Sequence, residues 1–293
     1  MSDYGPATEK QIQNVVEACE SYGSSSIIAL SGVPATGKSY VAAIAAQRHA
    51  GEPTRVREVQ FHQSFSYEEF VEGLRITETG AVEPVAGVFL EWNNLANDDG
   101  ELQYVLLIEE LTRANLGSVL GELLTYVEHR NRQFFSMFSR RSIRVAQNLT
   151  IIATFNPVDR SAIDIDDALL RRLRIIDFPP ATGMLKEMLE ENGVEQIVIN
   201  RLKGLFDSCR STFPNEYETL MPFGHGIFAE VSKEEDLHPL WQQRVRRMLY
   251  RPLLDPHAFA ETIEANYPWT DPDFKINVSK SDNDSAEEAN AAE

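Results

Sequence analysis

The sequence predicts an α/β fold, a parallel sheet flanked by helices, followed by a small α-helical domain. Three observations carry this prediction. Tyr104-Val105-Leu106-Leu107-Ile108 and Leu149-Thr150-Ile151-Ile152-Ala153-Thr154 are almost continuously apolar, the pattern of strands buried on both faces of a parallel sheet. Ser31-Gly32-Val33-Pro34-Ala35-Thr36-Gly37-Lys38-Ser39 fits the phosphate-loop pattern G-x-x-x-x-G-K-[ST] without a gap and lies between a β-prone run and a helix-forming one. Beyond Pro180 the apolar spacing is helical.

In chain order, residues 10 to 22 predict a helix, with Ile12, Val15, Val16 and Cys19 on one face. Ile27-Ile28-Ala29-Leu30 is the strand before the phosphate loop, and Val41 to Gln47 the helix after it. Arg55 to Phe61 reads as a second strand carrying the β-branched Val56 and Val59. Residues 67 to 75 predict a short helix, and 76 to 86, rich in Thr, Gly and Pro, a loop or small hairpin. A helix is expected from Leu116 to Glu128 between the two buried strands. Arg174-Ile175-Ile176-Asp177-Phe178 is a further strand, stopped by Pro179-Pro180. Helices are then expected at Met184 to Glu191, Glu195 to Cys209 and Glu234 to Arg251. The boundaries follow: a nucleotide-binding α/β domain over 1–180, a helical domain over 181–270, and a disordered acidic tail over 271–293, where Asp, Glu, Ser, Asn and Ala predominate.

Composition excludes several classes. At 43% hydrophobic and 25% charged the chain reads as globular. No apolar run approaches a membrane span, and the polar start offers no signal segment, so a cytoplasmic location without membrane contact is expected. Two cysteines, Cys19 and Cys209, argue against a disulfide scaffold or a structural zinc site. A net charge of −18 disfavours nonspecific binding of nucleic acid by the surface as a whole.

The phosphate loop carries its own chemistry. Gly32 and Gly37 let the backbone turn its N–H groups inward around an anion, and the helix N-terminus adds partial positive charge. Gly32, Val33, Pro34, Ala35, Thr36, Gly37, Lys38, Ser39 and the following Tyr40 are the expected nucleotide-binding residues. Lys38 would face the β- and γ-phosphates, and Ser39 would hold Mg²⁺. Glu109-Glu110 closes a hydrophobic strand, where nucleotide hydrolases place one acid toward Mg²⁺ and a second against the attacking water. Glu109 is the expected metal-side acid and Glu110 the general base. Asn156, just past a third apolar strand, is expected to sense the γ-phosphate; alone, Asn-Pro would be an ordinary turn. Arg171-Arg172 precedes the last strand. One of the pair could neutralise a neighbouring subunit's γ-phosphate; the alternative is pairing with Asp164, Asp166 or Asp167. Arg172 is the expected trans residue and Arg171 the runner-up.

The order of phosphate loop, acid pair, strand-tip asparagine and arginine pair resembles that of AAA+ NTPases. Within them the chain resembles the McrB-like branch, motor subunits of modification-dependent restriction systems. Phe61-His62-Gln63-Ser64-Phe65-Ser66-Tyr67-Glu68-Glu69-Phe70 is similar to that branch's F-H-Q-S-[FY]-S-Y-E-[DE]-F. Leu107 to Asn115 is similar to its I-I-D-E-I-N-R-A-N, Phe155 to Ser161 to its M-N-T-A-D-R-S, and Gly224-His225-Gly226-Ile227-Phe228 to its G-H-S-Y-F. Glu109 replaces the branch's Asp and Thr112 its Asn. Pro157-Val158 stands in the stretch linked with GTP preference, so ATP is expected, with GTP the alternative.

The resemblance implies an AAA+ fold with a helical lid, nucleotide hydrolysis with Mg²⁺, and a homo-oligomeric, hexameric ring that drives a separate effector such as a nuclease in anti-phage defence. The NTPase motifs start so early that a modified-base reader is expected elsewhere. A MoxR-like remodelling chaperone, and a nucleotide-gated scaffold with little hydrolysis, are the competing readings; the Glu109 replacement motivates the second.

Residues 129–147 hold Arg130, Arg132, Arg140, Arg141 and Arg144, no acid, and the interleaved Phe134, Phe135 and Phe138. The branch carries a pore-facing β-hairpin there, so nucleic acid or an acidic polypeptide is a candidate partner, against pairing with acids of a neighbouring subunit. In the lid, Trp241, Val245, Met248 and Leu249 read as core. Arg244, Arg246, Arg247 and Arg251 read as a solvated face, and His225 as a turn residue or a nucleotide contact.

Overall fold

A computed structural model describes residues 4–157, 167–249 and 256–276. The expectations placed on Val158 to Ser161, on Asp164 and Asp166, on Arg251 and on the tail from 277 onward lie outside the described residues. Five parallel strands form the main sheet: β1 (Ile27–Ser31), β2 (Val56–Gln60), β5 (Tyr104–Glu109), β8 (Leu149–Phe155) and β9 (Leu173–Asp177), in the order β2-β5-β8-β1-β9. Two hairpins stand beside it, β3 (Glu72–Ile76) with β4 (Val82–Ala86), and β6 (Phe134–Phe135) with β7 (Ser142–Ile143). Burial follows the apolar runs. Every residue of β1, β5 and β8 is buried, whereas the edge strands β2 and β9 are largely exposed.

Strand alternation sends successive side chains to opposite faces. Ile28, Leu30, Val105, Leu107 and Ile152 meet α1 (Pro6–Tyr22) and α2 (Lys38–Ala50) through Ile12, Val15, Cys19 and the alanines of α2. Ile27, Ala29, Leu106, Ile108 and Ile151 pack with Phe61, Phe70, Phe89, Leu120 and Val127 on the other face. A third core belongs to the helical region after Pro180, built on Thr182–Glu191 and Gln196–Thr212 with Phe206, Phe228, Trp241 and Tyr267. Trp241, Val245 and Leu249 are buried there, and Arg244, Arg246 and Arg247 are exposed.

Three stretches differ from expectation. The helix over 67–75 is one turn, α3 (Tyr67–Phe70), opened by a capping box between Ser66 and Glu69. The chain then enters β3, whose Leu74 and Ile76 share a face with Val82 and Pro84 of the paired strand. The helix over 116–128 is broken at Gly121 into Leu116–Leu120 and α6 (Leu123–Glu128). Gly121 has φ +47°, and a Cβ there would lie 3.1 Å from the Tyr67 ring. Residues 234–249 run as four short helical pieces, with a π turn at Trp241–Val245.

The hairpin expected near 129–147 is present, with one correction to its charge. Arg130 is buried. Its guanidinium donates to the carbonyls of Ala146 and Leu149 at 2.6 Å, of Gly23 at 2.7 Å and of Val127 at 3.3 Å. Burial lowers its pKa to about 10. Arg130 therefore fastens the hairpin's base to the sheet, and the outward cations are Arg132, Arg140, Arg141 and Arg144. Among the described residues no helix is long and apolar enough to cross a membrane.

Candidate active site

The phosphate loop leaves β1 at Ser31, which sits opposite Phe155 on one side and Asp177 on the other, so it emerges at the carboxyl edge of the sheet. Lys38 opens α2, and its Nζ donates to the carbonyls of Gly32 at 2.8 Å and Val33 at 2.9 Å. The ammonium is thus held across the mouth of the loop. A cavity of about 480 Å³ is lined by Thr36, Lys38 and Ser39 from the loop, and by Glu110, Arg113 and Asn156 from the tips of the neighbouring strands. Three motifs far apart in sequence meet there.

Glu109 is buried at the end of β5. Its Oε2 accepts from the Ser39 hydroxyl at 2.8 Å and from the Thr154 hydroxyl. The glutamate carboxylate thus reaches the serine of the loop. A hydroxyl beside a carboxylate is an all-oxygen donor set, the chemistry a hard cation such as Mg²⁺ takes. Among the described residues there is no cluster of three or more His, Cys, Asp or Glu suited to a metal, so this pair would leave most of the ion's shell to phosphate and water.

Glu110 leaves the strand in the left-handed region, φ 57° and ψ 44°. A non-glycine residue held there stores strain of about 1–3 kcal/mol. The turn sends its half-exposed carboxylate into the cavity, where Arg113 Nε lies 3.1 Å from Oε2. Its N–H donates to Thr154 Oγ1 at 3.3 Å. Thr154 thus holds both acids from the next strand. Sequence reasoning missed Thr154 and Arg113; a hydroxyl near the tip of a buried strand was the available signal for the first.

The lid closes on the loop from behind. Gly224 N–H donates to Pro34 O and Gly226 N–H to Ala35 O, each at 2.7 Å. A Cβ on Gly224 would fall 2.3 Å from Ala35 O, which explains the glycines flanking His225. His225 is buried, accepts from Ala181 N–H at Nδ1, and has its pKa lowered to about 4 by burial. It is neutral, and it sits both at the turn against the loop and on the wall of the cavity between Tyr4 and Met184. Val33 of the loop packs into the lid core. A second cavity, about 630 Å³, shares Gly37, Tyr40 and Gly226 with the first and extends between Tyr4 and Met184.

Arg171 and Arg172 lie at the other edge of the sheet. β9 starts beside the start of β1, Leu173 opposite Ile27, so both arginines are a strand's length from their own phosphate loop. Arg171 is exposed. Arg172 was expected to reach outward; instead it is buried, with Nε 3.2 Å from Glu128 Oε2.

A phosphate loop, an acid pair and a strand-tip asparagine around one cleft of a five-stranded parallel sheet define a phosphate-loop nucleotide-binding protein. The AAA domain of the dynein-related subfamily matches residues 27–173, half of the chain, and the chain belongs to that family. It is 30% identical over 259 residues to the EcoKMcrB subunit of the Type IV methyl-directed restriction enzyme of Escherichia coli K12, a match covering 83% of this chain and 56% of that protein. The chain thus spans about half the length of the curated relative it matches. Among solved structures, NtrX from Brucella abortus superposes with a TM-score of 0.43 at 13% identity, over 94% of this chain and 54% of that one.

Proposed function

We propose that the chain is the nucleoside-triphosphatase subunit of a homo-oligomeric ring, hexameric as in the resembling branch, that drives a separate effector such as a nuclease in an McrB-like defence system. The meeting of the phosphate loop, Glu110 and Asn156 around one cleft is the observation that supports it. The loop N–H groups and Lys38 would bind the β- and γ-phosphates, and the nucleoside would extend into the cavity between Tyr4 and Met184. Ser39 and Glu109 would hold Mg²⁺, which supplies charge neutralisation on the phosphate oxygens. Glu110 accepts a proton from the attacking water as its oxygen bonds to the γ-phosphorus and the bond to the bridging oxygen breaks, with Asn156 orienting water or phosphate. ATP is the proposed nucleotide. The contact between Glu109 and Ser39 favours hydrolysis over a scaffold that only binds. Exposed Arg132, Arg140, Arg141 and Arg144 beside exposed Phe135 support contact with nucleic acid or an acidic polypeptide.

Mass and phosphate release measured together test this reading. With ATP and Mg²⁺ at micromolar concentration, the 33.0 kDa chain is expected to assemble to about sixfold mass and release phosphate, with GTP turned over more slowly. A strictly monomeric mass with full turnover contradicts the ring, and faster turnover of GTP contradicts the nucleotide assignment.

A further inference from the structure

The first turn of α1 is capped by the lid. A helix begins with N–H groups that have no partner inside it. The residue before α1 is Gly5, which has no side chain to accept from them. Every N–H of the turn is nevertheless accounted for. Pro6 has none, and Glu9 donates to Gly5 O at 2.9 Å. Ala7 and Thr8 donate to the two oxygens of one carboxylate, Glu187, which also accepts from the Thr8 hydroxyl at 2.8 Å. That carboxylate comes from 180 residues beyond Ala7 and faces the positive end of a 17-residue helix. Glycines make room for the approach. A Cβ on Gly5 would fall 2.3 Å from Glu187 Cδ, and one on Gly183 would fall 3.0 Å from Ala7 Cβ.

The cap joins two separate packing units. Ile12, Val15 and Cys19 seat α1 against the sheet and α2. The helix over Thr182–Glu191 sends Leu185 and Leu189 into the lid core, while Met184 packs on the α1 side. The junction is also a wall of the 630 Å³ cavity, with Tyr4, Gly5 and Pro6 on one side and Met184, Glu187 and Met188 on the other. Tyr4 is braced against α2. Its ring stands edge-on to Tyr40 with centroids 6.2 Å apart, and the Arg48 guanidinium lies 5.6 Å over it.

We infer that Glu187 is a latch between the lid and α1, and the positioning residue that sets how tightly the nucleoside end of the nucleotide is held. The cap forms only while the lid is seated against α1. A nucleoside in the cavity touches both sides, so latch and ligand stabilise the same arrangement and each strengthens the other. The phosphates, bound by the loop and Lys38, stand outside this coupling. The inference rests on the nucleotide reading above and adds to it the contact that fastens the lid.

The test titrates wild type, Glu187→Ala and Gly5→Ser/Glu187→Ala with two probes in Mg²⁺, a non-hydrolysable ATP analogue and inorganic tripolyphosphate, and records each melting temperature. Glu187→Ala is expected to raise Kd for the analogue by about tenfold, within the usual range of coupling between two sites. Tripolyphosphate, which has no nucleoside, is expected to bind within about twofold of wild type, and the melting temperature to fall by a few degrees. The double variant separates the helix cap from the latch. With Glu187 truncated, the atoms nearest a Cβ at position 5 are gone, and serine caps α1 from within its own chain. Its melting temperature is expected to recover while its Kd for the analogue stays near that of Glu187→Ala. Because it carries its own cap, it keeps the comparison open should the single variant fail to fold. The inference is overturned if Glu187→Ala binds the analogue like wild type, if tripolyphosphate weakens as much as the analogue, or if the double variant regains wild-type affinity, which would leave Glu187 a helix cap alone. Failure of the nucleotide reading looks different: wild-type protein that binds neither probe.

Discussion

Lys38→Ala is expected to abolish turnover and to weaken ATP binding by more than about a hundredfold. The ammonium sits over the loop mouth, 2.8 and 2.9 Å from two carbonyls of the loop that would wrap the phosphates. It is the cation that the first turn of α2 adds to the backbone N–H groups. Hydrogen bonds to charged groups are worth about 1.5–3 kcal/mol each, and losing about 3 kcal/mol raises Kd by more than about a hundredfold. Alanine keeps helix propensity at this position, so the melting temperature should shift little. Titration of the variant with ATP and Mg²⁺, beside a phosphate-release assay, measures both effects. Wild-type affinity and turnover would remove the phosphate loop from the site.

Glu110→Gln separates binding from chemistry. The amide keeps the size of the side chain but cannot take the proton of the attacking water. Nucleotide affinity is expected to stay within a few-fold, while hydrolysis falls by at least about a hundredfold, the scale of a lost general base. The backbone supports the assignment independently of the motif. Glu110 holds a left-handed conformation that a glutamate adopts only when its surroundings impose it, and the turn delivers the carboxylate to the cleft beside Asn156. Single-turnover cleavage at saturating enzyme reads the chemical step directly. An unchanged rate would make the acid pair structural.

The central sheet was legible in the sequence because its three inner strands are buried on both faces. β1, β5 and β8 had to be apolar throughout, and a run apolar at every position is hard to mistake when a glycine loop or an acid pair ends it. The hairpin of β3 and β4 was half hidden. It packs on α3 and on the helix over 88–99 with Leu74, Ile76 and Val82 in solvent, so no burial pattern marked it, and the helix expected over 67–75 overran its first strand. The break falls at Gly121, whose left-handed φ ends the first helix and where a Cβ would also crowd the Tyr67 ring.

The site was legible where chemistry restricts residue type, and opaque where packing decides orientation. The phosphate loop, Glu109, Glu110 and Asn156 stand out in the sequence by residue type and order, and the structure gathers the loop, Glu110 and Asn156 around one cleft with Glu109 against Ser39. Thr154 was missed because a threonine in a strand is ordinary until its hydroxyl is seen against Glu109. In the sequence Arg130 reads as an outward cation of the hairpin, and Arg172 as a residue that reaches a neighbouring subunit. Each is buried by partners from elsewhere in the chain: three carbonyls beyond its own turn for Arg130, and a carboxylate more than forty residues upstream for Arg172. Charge alone does not say on which side of the surface a guanidinium ends.

The central claim is a hydrolytic site completed by a neighbouring subunit, and mixing two inactive variants tests it most directly. Lys38→Ala subunits have a disabled phosphate loop and an intact Arg171, the exposed member of the arginine pair proposed to face a neighbour's γ-phosphate; Arg171→Ala subunits have the reverse. In a mixed ring some interfaces join an intact loop to an intact arginine. Phosphate release by the mixture, read alongside mass spectra that establish mixed rings, is expected to rise well above that of either variant alone. Mixed rings that hydrolyse no faster than their two parents would contradict a shared site and return the whole reaction to a single chain.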